Sequence, residues 1–174
     1  MTPIERLRGS IRTGIKRDEA TMLRQLAKGR MVLELGSQFG FSTVLMAEVA
    51  KRVDAVDWHK GDAIVGHEVT LPVLWSNLER YGVRERVVIH VGRSADVLPR
   101  LVPRQFDFAF HDSFHGELAV LEDVAMMLPL LIPGALIAFH DYGVHKEHFG
   151  VTEAVAALGF RHVSLTRTLI VVQP

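Results

Sequence analysis

The sequence contains no cysteine. Disulfides and thiolate metal sites are excluded, and the pattern fits a reducing compartment, so a cytoplasmic location is expected. Net charge of one sign is missing too. Twenty basic and 20 acidic side chains cancel, so no global field draws the chain to nucleic acid or to an anionic membrane, and neither partner is expected. No apolar run approaches the roughly 20 residues of a membrane span. Residues 1–12 carry charges throughout and lack an apolar centre, so no signal peptide is expected. Internal repeats, low-complexity tracts and linkers are absent. What is present is a chain of 174 residues, enough for one domain with a sizeable core. It divides into an N-terminal helical segment over 1–28 and a ligand-binding α/β domain over 29–174.

The stretch MVLELGSQFGFST, residues 31–43, organises the rest. Its first five residues form a short apolar run with the length and composition of a strand buried on both faces. Gly36 and Gly40 follow, and helical spacing then begins over 43–51, with Val44, Leu45, Ala47 and Val49 as its apolar positions. Strand, glycine turn and helix open a nucleotide-binding α/β unit. Glycine permits positive φ and lets a ligand approach bare backbone. The helix brings free N–H groups to the same crevice. The spacing Gly36-x-x-x-Gly40 differs from the G-x-G-x-x-G of dinucleotide enzymes, so no pyrophosphate cradle is expected. Glu34, just before the turn, suits a ligand carrying a positive group and hydroxyls.

The motif E-L-G-S-x-x-G-x-S-T resembles the first motif of class I S-adenosylmethionine-dependent methyltransferases, and its ending resembles the small O-methyltransferases of sugars, natural products and catechol-like molecules. The resemblance extends from about residue 13 to the C-terminus. It implies a Rossmann-like fold and S-adenosylmethionine as cofactor. Glu34, Gly36, Ser37, Gly40 and Ser42 are the cofactor-binding candidates in this motif.

The remaining chain alternates strands and helices. Amphipathic helices are expected over 4–11 and 17–27, and Thr13 and Gly14 between them are candidates to line the crevice. A second strand, 53–57, ends in Asp57. An acid about 20 residues beyond the glycine turn suits ribose hydroxyls. Asp57 is the expected ribose ligand and Trp58 a neighbour of the adenine. After a loop over 59–66 come a helix over 68–81, a strand over 87–91 and the pattern G-x-S-A-x-x-L-P, which resembles the family's adenine-binding turn. Ser94 is its cofactor candidate and equally a helix N-cap. Further strands are expected over 106–112, 135–139, 160–165 and 168–172, with helices over 116–131 and 151–158. Pro133 and Gly134 make a turn between helix and strand. The order predicts a seven-stranded, mostly parallel sheet with one antiparallel strand and helices on both faces.

Asp112 and Asp141 close neighbouring strands and face the crevice. Paired carboxylates there can hold a divalent cation, act as acid and base, or be solvated loop acids. The resemblance implies a cation held by Asp112 and Asp141, completed in this chain by His140 or His115, with Asp112 also touching the cofactor. It also implies catalysis by His115, Asp112 and Asp141. Relatives carry an acid where this chain has His140, or asparagine where it has Tyr142. Imidazole in place of an oxygen ligand shifts preference from Mg²⁺ towards Mn²⁺ or later transition ions. Nine histidines are present, and His111, His115, His140, His145 and His148 fall close together. Strand alternation turns His111 away from Asp112.

The expected activity is S-adenosylmethionine-dependent O-methylation of a small hydroxylated molecule. The alternatives are a metal-dependent hydroxylase or hydrolase on the same scaffold, and a non-catalytic cofactor-binding protein. The amphipathic N-terminal helices, with no insertion to form a lid, predict a homodimer whose partner helps close the crevice.

Overall fold

The computed structural model describes residues 2–61 and 66–174. Its strands are β1 (Met31–Leu35), β2 (Arg52–Asp57), β3 (Val87–Val91), β4 (Phe106–His111), β5 (Leu131–Phe139), β6 (Arg161–Thr166) and β7 (Leu169–Gln173). The helices are α1 (Pro3–Arg8), α2 (Arg17–Ala27), α3 (Phe41–Ala47), α4 (Leu71–Arg80), α5 (Ser94–Val97), α6 (Glu117–Met127) and α7 (Val151–Leu158). One sheet of order β3-β2-β1-β4-β5-β7-β6 contains all seven strands. β7 alone runs antiparallel to its neighbours. The expected fold class is thus the observed one. No helix among the described residues is long and apolar enough to cross a membrane.

Alternation of side chains along the strands builds two cores. Val32, Phe108 and Phe110 face α1, α2, α3 and α4, whereas Leu33, Leu35 and Phe139 face α6 and α7. Phe106, Phe108, Phe110 and Phe139 are fully buried, and each contributes about 1.5–3 kcal/mol of transfer free energy.

Several boundaries differ from the sequence reading, each for a local reason. α3 begins at Phe41 because Gly40, at φ +87, is its N-cap. α1 stops at Arg8 against Gly9. α6 ends at Met127 and passes into a 3₁₀ turn at Pro129, which lacks the N–H to continue the helix. Pro133 and Gly134 lie inside β5, where a register shift opposite Phe106 and Phe108 absorbs them. The expected loop over 59–66 falls partly on 62–65, outside the described residues.

Strand order reverses between β1 and β4, so connections leave the sheet there in opposite directions. That switch point opens a crevice above the carboxyl ends of the strands, the usual ligand position of an open α/β sheet.

Candidate active site

Gly36, at φ +92, ends β1. Its N–H donates to the Val56 carbonyl at 2.9 Å, and the Asp112 N–H donates to the Leu35 carbonyl at 2.9 Å. Around this point lies a cavity of about 1020 Å³.

One half of the cavity is lined by Gly36, Asp57, Trp58, Ser94, Phe114 and Met126. Asp57 accepts the backbone N–H of Gln38 at 2.8 Å and that of His59 at 2.7 Å. It therefore staples the glycine turn to the end of β2 while presenting a carboxylate to the cavity. The Arg93 guanidinium lies 5.1 Å from the Trp58 ring centroid. Gly14 reaches the wall, whereas the Thr13 hydroxyl accepts the Ile15 N–H within its own turn.

The other motif residues build the turn from beneath. Glu34 has no exposed surface and does not line the cavity. Alternation points it to the same face as Val32, where α3 covers it and the Thr43 hydroxyl donates to its carboxylate at 2.6 Å. Burial, opposed by the Ser42 and Thr43 hydroxyls and aided by Asp112 and Asp57, pushes this carboxyl up to about 8, so it is largely neutral at pH 7. Ser37 and Ser42 are also buried. Gly40 sits at φ +87, where a side chain is strained, and a Cβ there would come within 2.5 Å of Leu74 Cδ1 and displace it.

The second half gathers Asp112, His115, His140 and Asp141. Asp141, at φ +60, turns back so that its carboxylate meets Asp112. His115 Nε2 lies 2.9 Å from Asp141 Oδ2 and 3.8 Å from Asp112 Oδ1. Its ring stacks on Phe149 with centroids 4.5 Å apart. His140 Nδ1 lies 3.2 Å from Asp112 Oδ1 and 3.3 Å from Asp141 Oδ2. On its far side, Nε2 is 3.5 Å from Glu19 Oε2.

Charge compensation shifts every member of this group. For His140, burial opposes the charged ring, but Asp112, Asp141 and Glu19 outweigh it and push the imidazole up to about 12. His115 rises to about 9 by the same contest between burial and the two aspartates. Burial works against the carboxylates as well, yet the histidines hold Asp141 down to about 2 and Asp112 lower still. Glu19 is held at about 2 against its burial by His140, Lys16 and Thr168.

The donor chemistry fits a divalent cation. Asp112, His115 and Asp141 offer ligand atoms within 4.8 Å of one another. His115 Nε2 is buried and faces both carboxylates without hydrogen-bond geometry to either. The group includes His115, one of the two histidines expected there, and His140 Nδ1 lies against the same two acids. The other lining residues suit a nucleoside: Trp58 and Met126 are apolar, and Asp57 and Ser94 add an acid and a hydroxyl.

His111 turns away from Asp112, as alternation requires, and its Nε2 lies 3.0 Å from Asp123 Oδ2 on α6. His145 and His148 are exposed to solvent on the loop before α7 and do not join the cluster. Sequence reasoning missed Glu19 and Thr168. Glu19 is legible locally as a first-turn acid of α2, but nothing near it in sequence points to His140.

A mostly parallel α/β sheet with an acid, a glycine turn and a carboxylate–histidine cluster at its switch point defines a Rossmann-like ligand-binding protein. The methyltransferase domain family matches residues 33–142, well over half of the chain, and this chain belongs to that family. It is 30% identical over 122 residues to a catechol O-methyltransferase of Niastella koreensis, covering 67% of this chain and 51% of that protein. Over 89 residues it is 36% identical to a catechol O-methyltransferase of Mycobacterium tuberculosis, covering 49% of this chain and 37% of that protein. The matches thus span about half or less of the length of these curated relatives. The fold resembles that of an O-methyltransferase from Bacillus cereus solved in complex with SAH, with a TM-score of 0.73 and 17% identity, covering 98% of this chain and 90% of that one.

Proposed function

We propose that the chain is an S-adenosylmethionine-dependent O-methyltransferase of small hydroxylated molecules, such as sugars, natural products or catechol-like diols. The observation that carries this reading is the continuity of the cavity. Its nucleoside-like half and its carboxylate–histidine half meet across Gly36 and Asp112. The resemblance to two catechol O-methyltransferases supports oxygen as the accepting atom.

Asp57 accepts hydrogen bonds from ribose hydroxyls while keeping the turn in place. Trp58, Ser94 and Met126 enclose the base. Gly36 presents bare backbone, Ser37, Gly40 and Ser42 hold the turn in shape, and Glu34 anchors it to α3 through Thr43. S-adenosylmethionine, when bound, supplies a methyl group on a sulfonium that is already a good leaving group. The protein must then align an oxygen with that methyl and remove its proton. His115 is the base, taking the hydroxyl proton at Nε2. Phe149 fixes its ring plane. Asp112 and Asp141, with His140, would hold a divalent cation. Such an ion lowers a hydroxyl pKa and orients a vicinal diol.

The reading includes a homodimer. β6 is an edge strand exposing Val163 and Leu165, and light scattering at micromolar concentration should give twice the chain mass.

Calorimetric titration with S-adenosylhomocysteine, with and without Mg²⁺, Mn²⁺ and Zn²⁺, tests the cofactor half. Labelled methyl transfer to a panel of catechols and sugars tests the acceptor half. Micromolar binding with transfer is expected. Absence of S-adenosylhomocysteine binding would reject the proposal. Binding without transfer to any hydroxylated acceptor would leave only a cofactor-binding protein.

A further inference from the structure

We infer that Glu19 is a positioning residue for His140, orienting that ring so that Nδ1 serves as a ligand to the divalent cation and biases the site towards a transition ion over Mg²⁺. The inference rests on the reading above that Asp112 and Asp141 hold a cation.

Glu19 is 1% exposed, and its carboxylate is fixed from two sides. Oε1 accepts the Thr168 N–H at 3.0 Å and the Thr168 hydroxyl at 2.7 Å. Oε2 accepts the Lys16 N–H at 2.7 Å. These bonds bolt the carboxylate between the start of α2 and the turn joining β6 to β7. No lysine or arginine side chain pairs with Glu19 among the described residues; its one ionisable partner is His140. A buried carboxylate left without a cation is costly, so the contact with His140 accounts for its presence there.

The ring geometry does the rest. His140 presents Nε2 to Glu19 at 3.5 Å and Nδ1 to Asp112 and Asp141 at 3.2 and 3.3 Å. A neutral imidazole has one N–H and one lone pair. The fixed Glu19 carboxylate, in ion-pair contact with Nε2 but without hydrogen-bond geometry, favours the N–H on that nitrogen and the lone pair on Nδ1, which faces the acid pair. Two carboxylate oxygens with an imidazole nitrogen suit Mn²⁺, Co²⁺, Ni²⁺ or Zn²⁺, whereas Mg²⁺ prefers oxygen alone. Glu19 and Thr168 lie outside the family match over 33–142, while His140 lies inside it. The brace is therefore supplied by the flanking segments.

The test uses the full chain labelled with ¹⁵N-histidine and loaded with Zn²⁺. Long-range ¹H–¹⁵N spectra should show His140 protonated at Nε2 and metal-bound at Nδ1. Calorimetry should show Zn²⁺ and Co²⁺ binding more tightly than Mg²⁺. E19Q should lose about 10–100-fold in Zn²⁺ affinity with Mg²⁺ affinity unchanged. The wild-type spectrum decides the question by itself if E19Q fails to fold. Failure of the wild type to bind any divalent ion overturns this inference together with the cation reading. Zn²⁺ bound with the His140 nitrogens unmoved, or bound equally well by E19Q, overturns the role of Glu19 and leaves the cation reading standing.

Discussion

Gly36 and Asp112 meet backbone to backbone: a Cβ added to Gly36 would lie 2.0 Å from the Asp112 carbonyl oxygen. The turn that ends β1 and the acid that follows β4 are therefore one mechanical unit. Neither half of the cavity can move at this point without the other.

Gly36→Ala tests that coupling. The new methyl clashes with backbone rather than with a flexible side chain, and alanine is strained at φ +92. Stability should fall by at least ~2 kcal/mol in urea unfolding, and affinity for S-adenosylhomocysteine should fall with it. A variant within ~0.5 kcal/mol of wild type would show that the contact is not rigid.

Asp57→Asn should weaken S-adenosylhomocysteine binding by roughly 1.5–3 kcal/mol for each charged hydrogen bond lost. One amide oxygen cannot replace both carboxylate oxygens that now receive Gln38 and His59. The turn should therefore loosen as well, which hydrogen exchange at Gln38 would reveal. Unchanged calorimetric affinity would remove Asp57 from the ribose site.

His115→Gln should lower the rate of methyl transfer by about 10²–10⁴-fold while leaving cofactor affinity intact. In the metal-free protein His115 is held up to about 9, so its base form grows as pH rises. The wild-type rate should climb from pH 7 towards 9 without added metal. It should climb at lower pH once a cation competes for the two aspartates, since metal ligation displaces protons. A flat profile in both conditions would argue against His115 as the base.

Glu34 makes a prediction about stability. Its carboxyl is raised from 4.5 to about 8 in the folded chain, so the folded state binds this proton more tightly than the unfolded state does. The stabilisation is full below pH 4.5 and is lost as pH rises through about 8. Glu34→Gln should remove that part of the pH slope. Urea midpoints of wild type and variant should therefore diverge between pH 5 and 8, with the variant gaining relative to wild type. Parallel curves would mean that Glu34 titrates normally.

Features carried by local spacing were legible in the sequence. The alternation of strands and helices, the glycine turn at Gly36 and the acid at Asp57 rest on short-range periodicity and backbone sterics. So does the rotation of His111 away from Asp112, which needs only the two-residue repeat of a strand. Proline at 133 misled because a strand interior usually rejects it, and only the bulge opposite Phe106 and Phe108 accommodates it in β5.

The sequence by itself thus determined the sheet, its switch point and which strand ends carry chemistry. It did not determine how those side chains are partnered. Glu34 is a motif acid whose burial depends on α3 closing over it. His140 becomes a candidate ligand with a defined face because α2 brings Glu19 to one side of its ring and β4 brings Asp112 to the other. The physical reason is range. Periodicity and backbone sterics act between near neighbours in the chain, whereas ionisation and ligand orientation follow from burial and from charges that only the packed chain brings within a few ångströms of each other.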